Sequence, residues 1–275
     1  MSRIIGAQAF HWSQYYYDLN KNYRENLDEL FSTISGAGLN AWEDSTDSEE
    51  YAEQLGLLLR KHDLKLPSIY ANSTLHTDEW EESISSVLQQ AKWAKALGAS
   101  IVVSNPNPIS WSDPVDKTDE QLRTQAHALN VLTKELDSLG MTMAYHTHAP
   151  EMRQGAREFH HMLLATRESG MKFCLDFQWL HRGTGNSQVA LEDLIELYGD
   201  RVVTTHIRQT NNGIWSESLN DGDIDYGRLV SKLNVLGYEG PLIIENAREE
   251  GTTIAPSMLA AYSDSKMWVD STFLK

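Results

Sequence analysis

Short apolar runs alternate with longer stretches of helical spacing from one end of this chain to the other. The strand candidates are 4–10, 39–43, 66–71, 100–104, 141–146, 171–176, 202–207 and 241–245. Between them, Trp80, Ile84, Val87, Ala91 and Ala94 recur at three and four residues, which places them on one face of a helix. Leu122, Ala126, Leu129, Leu132 and Leu136 do the same in the following unit. Asp47 with Glu50, and Thr118 with Gln121, have the spacing of capping boxes at helix starts. Gly38, Gly98, Gly140, Gly170 and Gly237 each follow a helical run, where a chain turning out of a helix needs a residue tolerant of positive φ. Eight strand–helix units in 275 residues give roughly 34 residues per unit, enough for one βαβ crossover each. Strict alternation predicts a parallel sheet, and eight units predict its closure into an α/β fold of the (β/α)₈ TIM-barrel type. An open doubly wound sheet is the alternative, but no G-x-G-x-x-G follows the first strand. No linker or low-complexity segment divides the chain, so residues 1–275 read as a single barrel domain.

Composition narrows the partners. The chain carries 23 Lys+Arg against 39 Asp+Glu, a net charge of −16. Nucleic-acid ligands select basic faces, so DNA and RNA are set aside. No stretch approaches the roughly 20 apolar residues that span a bilayer, and the first ten residues lack the apolar core of a leader peptide. These features predict a cytoplasmic protein with no membrane partner. The single Cys174 excludes an internal disulfide and a Cys-rich metal site, and its apolar neighbours make it a small buried residue.

In a barrel of this kind the chemistry lies at the C-terminal strand ends. Strand one runs into Phe10-His11-Trp12, strand two into Trp42-Glu43-Asp44, and strand four into Asn105. Strand five ends in His146-Thr-His148-Ala-Pro-Glu151, strand six in Asp176, strand seven in His206-Ile-Arg208 and strand eight in Glu245. Taken singly, each is a turn former, a cap or a hydrogen-bonded scaffold residue. Gathered at one barrel mouth, these carboxylates and imidazoles would be desolvated and in mutual conflict without a cation. Mixed oxygen and nitrogen ligation with no thiolate suits a divalent metal ion, Mn²⁺, Mg²⁺, Co²⁺ or Zn²⁺, and the sequence does not choose among them. Asp225 reads as a helix cap. The loop 209–217 is long enough to fold over the mouth as a lid, and Trp12, Trp111, Trp179 and Trp215 are candidate walls for a sugar ring.

The motifs at 145–151, 175–176, 205–208, 220–225 and 237–245 resemble the xylose isomerase-like TIM-barrel superfamily, which holds sugar isomerases, sugar 3-epimerases, inosose dehydratase and endonuclease IV. The resemblance implies a metal set of Glu, Asp, His and Glu from strands five to eight. Asp176, His206 and Glu245 match by position. At strand five, His146 stands where the epimerases have Glu, so Glu151 is taken as the fourth ligand, with His146 as its rival. That stretch resembles a branch with a His-x-His-x-x-Glu pattern. After strand six, Trp179 replaces the epimerases' His. The implied activity is a metal-dependent isomerase or epimerase acting on a small carbohydrate through an enediolate. Glu151, Glu245 and His148 would move protons, and His146, Arg208, Glu43, Trp12 and Asn105 would hold substrate. A lyase acting on a keto-sugar or keto-inositol is the alternative, and a non-catalytic sugar-binding barrel is a distant one. The resemblance also suggests a homodimer.

Overall fold

The computed structural model describes residues 3–274. Eight parallel strands form the barrel: β1 (Ile5–Gln8), β2 (Ala41–Glu43), β3 (Ser68–Tyr70), β4 (Ile101–Ser104), β5 (Thr142–Tyr145), β6 (Lys172–Asp176), β7 (Val202–Ile207) and β8 (Leu242–Ile244). β1 pairs with both β2 and β8, and neighbours pair in sequence from β3 through β8. Between β2 and β3 the ring closes through single bridges, Ala41 with Lys65 and Asp44 with Ile69. The predicted eight-stranded α/β barrel is the observed one.

The helices wrap the outside: α1 (Ala9–Asp18), α2 (Leu27–Gly36), α3 (Glu49–Lys61), α4 (Trp80–Ala96), α5 (Asp119–Ser138), α6 (Arg153–Ala165), α7 (Phe177–Gly183), α8 (Gln188–Tyr198), α9 (Tyr226–Val235) and α10 (Met258–Phe273). Their caps follow local chemistry. Thr118 and Gln121 form the predicted capping box of α5, and Asp225 accepts the Arg228 N–H at the start of α9. All five glycines expected at helix exits have positive φ.

Two boundaries differ from expectation. β1 stops at Gln8, whose side chain accepts the Phe10 N–H and starts α1 at once, so Phe10, His11 and Trp12 are helical. Asp47 does not cap α3. It pairs with Arg24, and Ser48 accepts the Tyr51 N–H instead.

Side chains of a strand alternate between the two faces of the sheet, which decides where the chemistry lies. One parity, including Trp42, Ile69, Val102, Met143, Phe173, Leu175 and Ile244, packs against the helices in the main core. The other parity faces the barrel axis. There the apolar filling is a small cluster of Ile101, Val103, Ala144 and Cys174. Above it on the same parity come His146, Asp176, His206 and Glu245.

Candidate metal centre and active site

Four strand ends deliver one ionisable group each. His146 follows β5, with its N–H bonded to Ser104 O of β4 at 3.0 Å. Asp176 ends β6 in register with His206 of β7, and Glu245 follows β8 with its N–H on Ile207 O at 3.0 Å. The potential ligand atoms of His146, Asp176, His206 and Glu245 all lie within 4.8 Å of one another, and all four side chains are buried. The donor set fits a divalent cation on its own chemistry. His146 Nδ1, His206 Nδ1 and Glu245 Oε2 are buried atoms with no hydrogen-bond partner, and an unpaired buried polar atom is costly unless something binds it.

The four groups differ in how readily each holds a proton. Burial holds His146 and His148 down at about 3, which keeps both imidazoles neutral and able to ligate. Burial, reinforced by the charge of Glu245, pushes Asp176 up to about 7. Burial acts in the same sense on Glu245, but Arg208 and His206 outweigh it and hold that carboxyl below the ordinary range. Burial disfavours the charged form of His206, but Cys174, Glu43 and Glu245 outweigh it and raise the imidazole well above its usual value, so an ion would bind here in place of a proton. Burial pushes the Cys174 thiol up to about 12.

A second ring of contacts fixes these groups. His206 Nε2 donates to Glu43 Oε1 at 2.6 Å, and Ser68 Oγ donates to the other oxygen of Glu43. This leaves His206 Nδ1 turned toward Glu245 Oε2, 3.3 Å away, and Asp176 Oδ2, 4.0 Å away. The carboxylate–imidazole arrangement fixes tautomer and ring orientation, as the supports of metal-bound histidines do. Glu43, expected to contact substrate, is buried here with His206 and Ser68 as its partners and lies outside the four-residue donor cluster. Arg208 binds Glu245 twice, Nε to its backbone O at 2.8 Å and Nη2 to Oε1 at 2.9 Å. Asp176 Oδ1 accepts the Trp179 N–H at 2.8 Å and so caps α7 while Oδ2 stays with the cluster.

Glu151 requires the main correction. The structure brings His146, not Glu151, to the other three groups. Glu151 lies on a short 3₁₀ turn after β5, where Oε2 accepts the His148 N–H at 2.8 Å and Oε1 lies 3.5 Å from Asn105 Nδ2. Three successive left-handed residues, Gln154, Gly155 and Ala156, interrupt the first turn of α6. The carboxyl is buried, which raises it to about 7. Its role in the geometry is to hold the His148 backbone. Asn105 likewise supports Glu151.

Above the cluster opens a cavity of about 550 Å³ whose lining includes Glu245, His148, Tyr70, Trp111, Trp179 and Trp215. His148 stands edge-on to His146, Trp111 and Trp179 at 4.7–5.1 Å between ring centres. The expected lid segment does fold over the mouth. It forms a hairpin of Thr210–Asn211 and Ile214–Trp215, with Trp215 lying 4.5 Å over the Arg208 guanidinium. Trp12 is absent from the wall. With α1 beginning at Ala9, it turns into the core and stacks on Tyr262, 5.3 Å away, and Phe10 lines the cavity instead. His11 also points inward, to Glu217 at 3.1 Å and the Tyr262 hydroxyl at 3.3 Å. Tyr70, which sequence reasoning missed, stacks beside His206 at 6.3 Å. Its inward parity at the end of β3 was the available signal.

Comparison with known proteins agrees with the barrel fold. Inosose dehydratase of Clostridium perfringens (strain 13 / Type A) is 22% identical over 258 residues, covering 83% of this chain and 84% of that one. Among solved structures, an L-ribulose 3-epimerase superposes with a TM-score of 0.75 at 15% identity, covering 100% of this chain and 95% of the other. The 3-keto-D-glucoside 4-epimerase of E. coli in its apo form gives 0.72 at 17% identity, with 98% and 100% covered. Residues 31–267 match the family described as the xylose isomerase-like TIM barrel, and the chain belongs to that family.

Proposed function

We propose that this protein is a divalent-metal-dependent carbohydrate isomerase or epimerase, working by proton transfer next to a substrate carbonyl, with residues 1–275 acting as one domain. The observation that carries the proposal is the buried His146–Asp176–His206–Glu245 cluster at the floor of the cavity. Those four residues would hold the ion, and Mn²⁺ is the first candidate among ions suited to mixed nitrogen and carboxylate ligation. A bound divalent ion supplies Lewis acidity that makes the C–H beside a carbonyl acidic.

The chain's own groups supply the rest. Glu245 and His148 both line the cavity, so one can accept a proton and the other return it. Arg208 keeps Glu245 ionised and fixes its direction. Arg208 Nη1 is buried without a partner and is available to a substrate hydroxyl. Glu151 keeps His148 in place through the backbone. Arg208 and Arg182 are each charge-paired, with Glu245 and with Glu249. A neutral sugar or polyol therefore suits the site better than a phosphorylated one, and the Trp111, Trp179 and Trp215 faces suit the C–H side of its ring.

Elimination is the second reading. His148 is an imidazole beyond those in the donor cluster, placed to assist a departing hydroxyl, and the curated relative is named a dehydratase. The test is incubation of Mn²⁺-loaded protein with ketoses and keto-inositols in D₂O, followed by NMR. Deuterium entering the carbon beside the carbonyl without loss of water supports the first reading. Formation of an enone supports elimination. No exchange with any substrate, in wild type and Glu245→Gln alike, refutes both.

A further inference from the structure

Cys174 lies two residues before Asp176 on β6 and faces the same way, about 6.6 Å lower along the strand. Its sulfur and potential ligand nitrogens of His146 and His206 lie within 4.8 Å of one another, and all three side chains are buried. Unpartnered polar atoms border this layer. His146 Nδ1 and His206 Nδ1 have no hydrogen-bond partner. Thr204, directly opposite Cys174 in the β6–β7 register, has a buried hydroxyl with no partner either. The same two imidazoles thus belong to two donor sets. The upper one is completed by Asp176 and Glu245, the lower one by the thiol.

We propose that Cys174, His146 and His206 form a second seat for thiophilic divalent ions such as Zn²⁺, Co²⁺ or Cd²⁺, one layer below the carboxylate-containing seat. This rests on the metal-centre reading above and extends it. Oxygen-preferring ions such as Mn²⁺ and Mg²⁺ take the upper position, where Glu245 borders the substrate cavity. Thiophilic ions gain a sulfur bond by sinking inward. As the ion binds, the thiol proton and any proton on His206 Nδ1 are released to solvent, and no electron changes hands. Because the imidazoles are shared, occupation is exclusive, and an ion held below displaces the ion above while lying away from the substrate.

The experiment is a Co²⁺ titration of the metal-free full-length protein, read by absorption and by calorimetry. The expected result is a thiolate-to-Co²⁺ charge-transfer band in the near ultraviolet that saturates at one ion per chain. That band should survive in the Asp176→Asn/Glu245→Gln variant. It should be lost in Cys174→Ser and Cys174→Ala, both of which still bind Co²⁺ through the upper set. Cys174→Ser should also weaken Cd²⁺ more than Mn²⁺. Co²⁺ binding to wild type without the band overturns the lower seat and leaves the metal centre standing. Loss of the band in the carboxylate variant also overturns a separate seat. If wild type binds neither Co²⁺ nor Mn²⁺, the metal-centre reading falls with it.

Discussion

At the scale of single residues, the site depends on groups that never touch a substrate. Glu43 bonds His206 Nε2 at 2.6 Å, and supports of this kind are worth about 10- to 100-fold in metal affinity. Glu43→Gln should weaken Mn²⁺ binding by about that factor with the fold intact, as checked by titration calorimetry and circular dichroism. Glu151 gives a pH signature. Burial raises its carboxyl from 4.5 to about 7, so the folded state holds this proton more tightly than the unfolded chain does. That advantage is complete below pH 4.5 and is lost as pH rises through 7. Across this window the metal-free protein should lose about 3 kcal/mol through this group, and Glu151→Gln should remove that part of the decline. Urea unfolding of both proteins between pH 4 and 8 measures the difference, and parallel profiles would refute it. Asp176, His206 and Glu245 stood out in the sequence because each lies at the end of an apolar run and matches by position the metal set that the family resemblance implies. Glu151 could not be placed in this way, because its position depends on a segment with three left-handed residues that no periodicity encodes.

At the scale of elements, alternating runs made the eight strands legible, but their ends were set by capping. Gln8 opens α1 earlier than the apolar run 4–10 suggested, and this one boundary moved Trp12 from the cavity wall into the core. The lid hairpin shows what sequence spacing omits: its anchors are remote. Glu249 Oε1 accepts the Trp215 N–H at 2.7 Å and Arg182 Nη2 at 2.6 Å, and Thr252 Oγ1 donates to Trp215 O at 2.9 Å. Glu249→Ala should loosen the hairpin and raise KM for the sugar several-fold while leaving Mn²⁺ affinity unchanged, because Glu249 touches no member of the donor cluster. Equal losses in KM and metal affinity would contradict that division. β8 imposes a steric limit as well. A Cβ at Gly240 would come within 2.3 Å of Val203 O on β7. Gly240→Ala should therefore cost about 1–3 kcal/mol in urea unfolding, the range for overpacking against atoms that cannot move aside.

For the whole molecule, a net charge of −16 set nucleic acid aside, and the fold divides that charge into two kinds. Much of it is exposed helix surface, such as Glu49, Glu50 and Glu53 on α3. A smaller part, Glu43, Asp44, Glu151, Asp176 and Glu245, is buried at the barrel mouth. No helix among the described residues is long and apolar enough to cross a membrane. A barrel with this buried charge should be stabilised by the ion that neutralises it. Mn²⁺ at about 100 times its Kd should raise unfolding free energy by about 2.7 kcal/mol, seen as a higher Tm in wild type and not in His206→Ala. Calorimetric titration of Mn²⁺ into the metal-free protein and its variants identifies the fourth ligand of the proposed centre. One ion per chain should bind wild type and Glu151→Gln with similar affinity, whereas His146→Ala and His206→Ala should lose binding. Loss of Mn²⁺ binding in Glu151→Gln with retention in His146→Ala would make Glu151 the ligand and exclude His146.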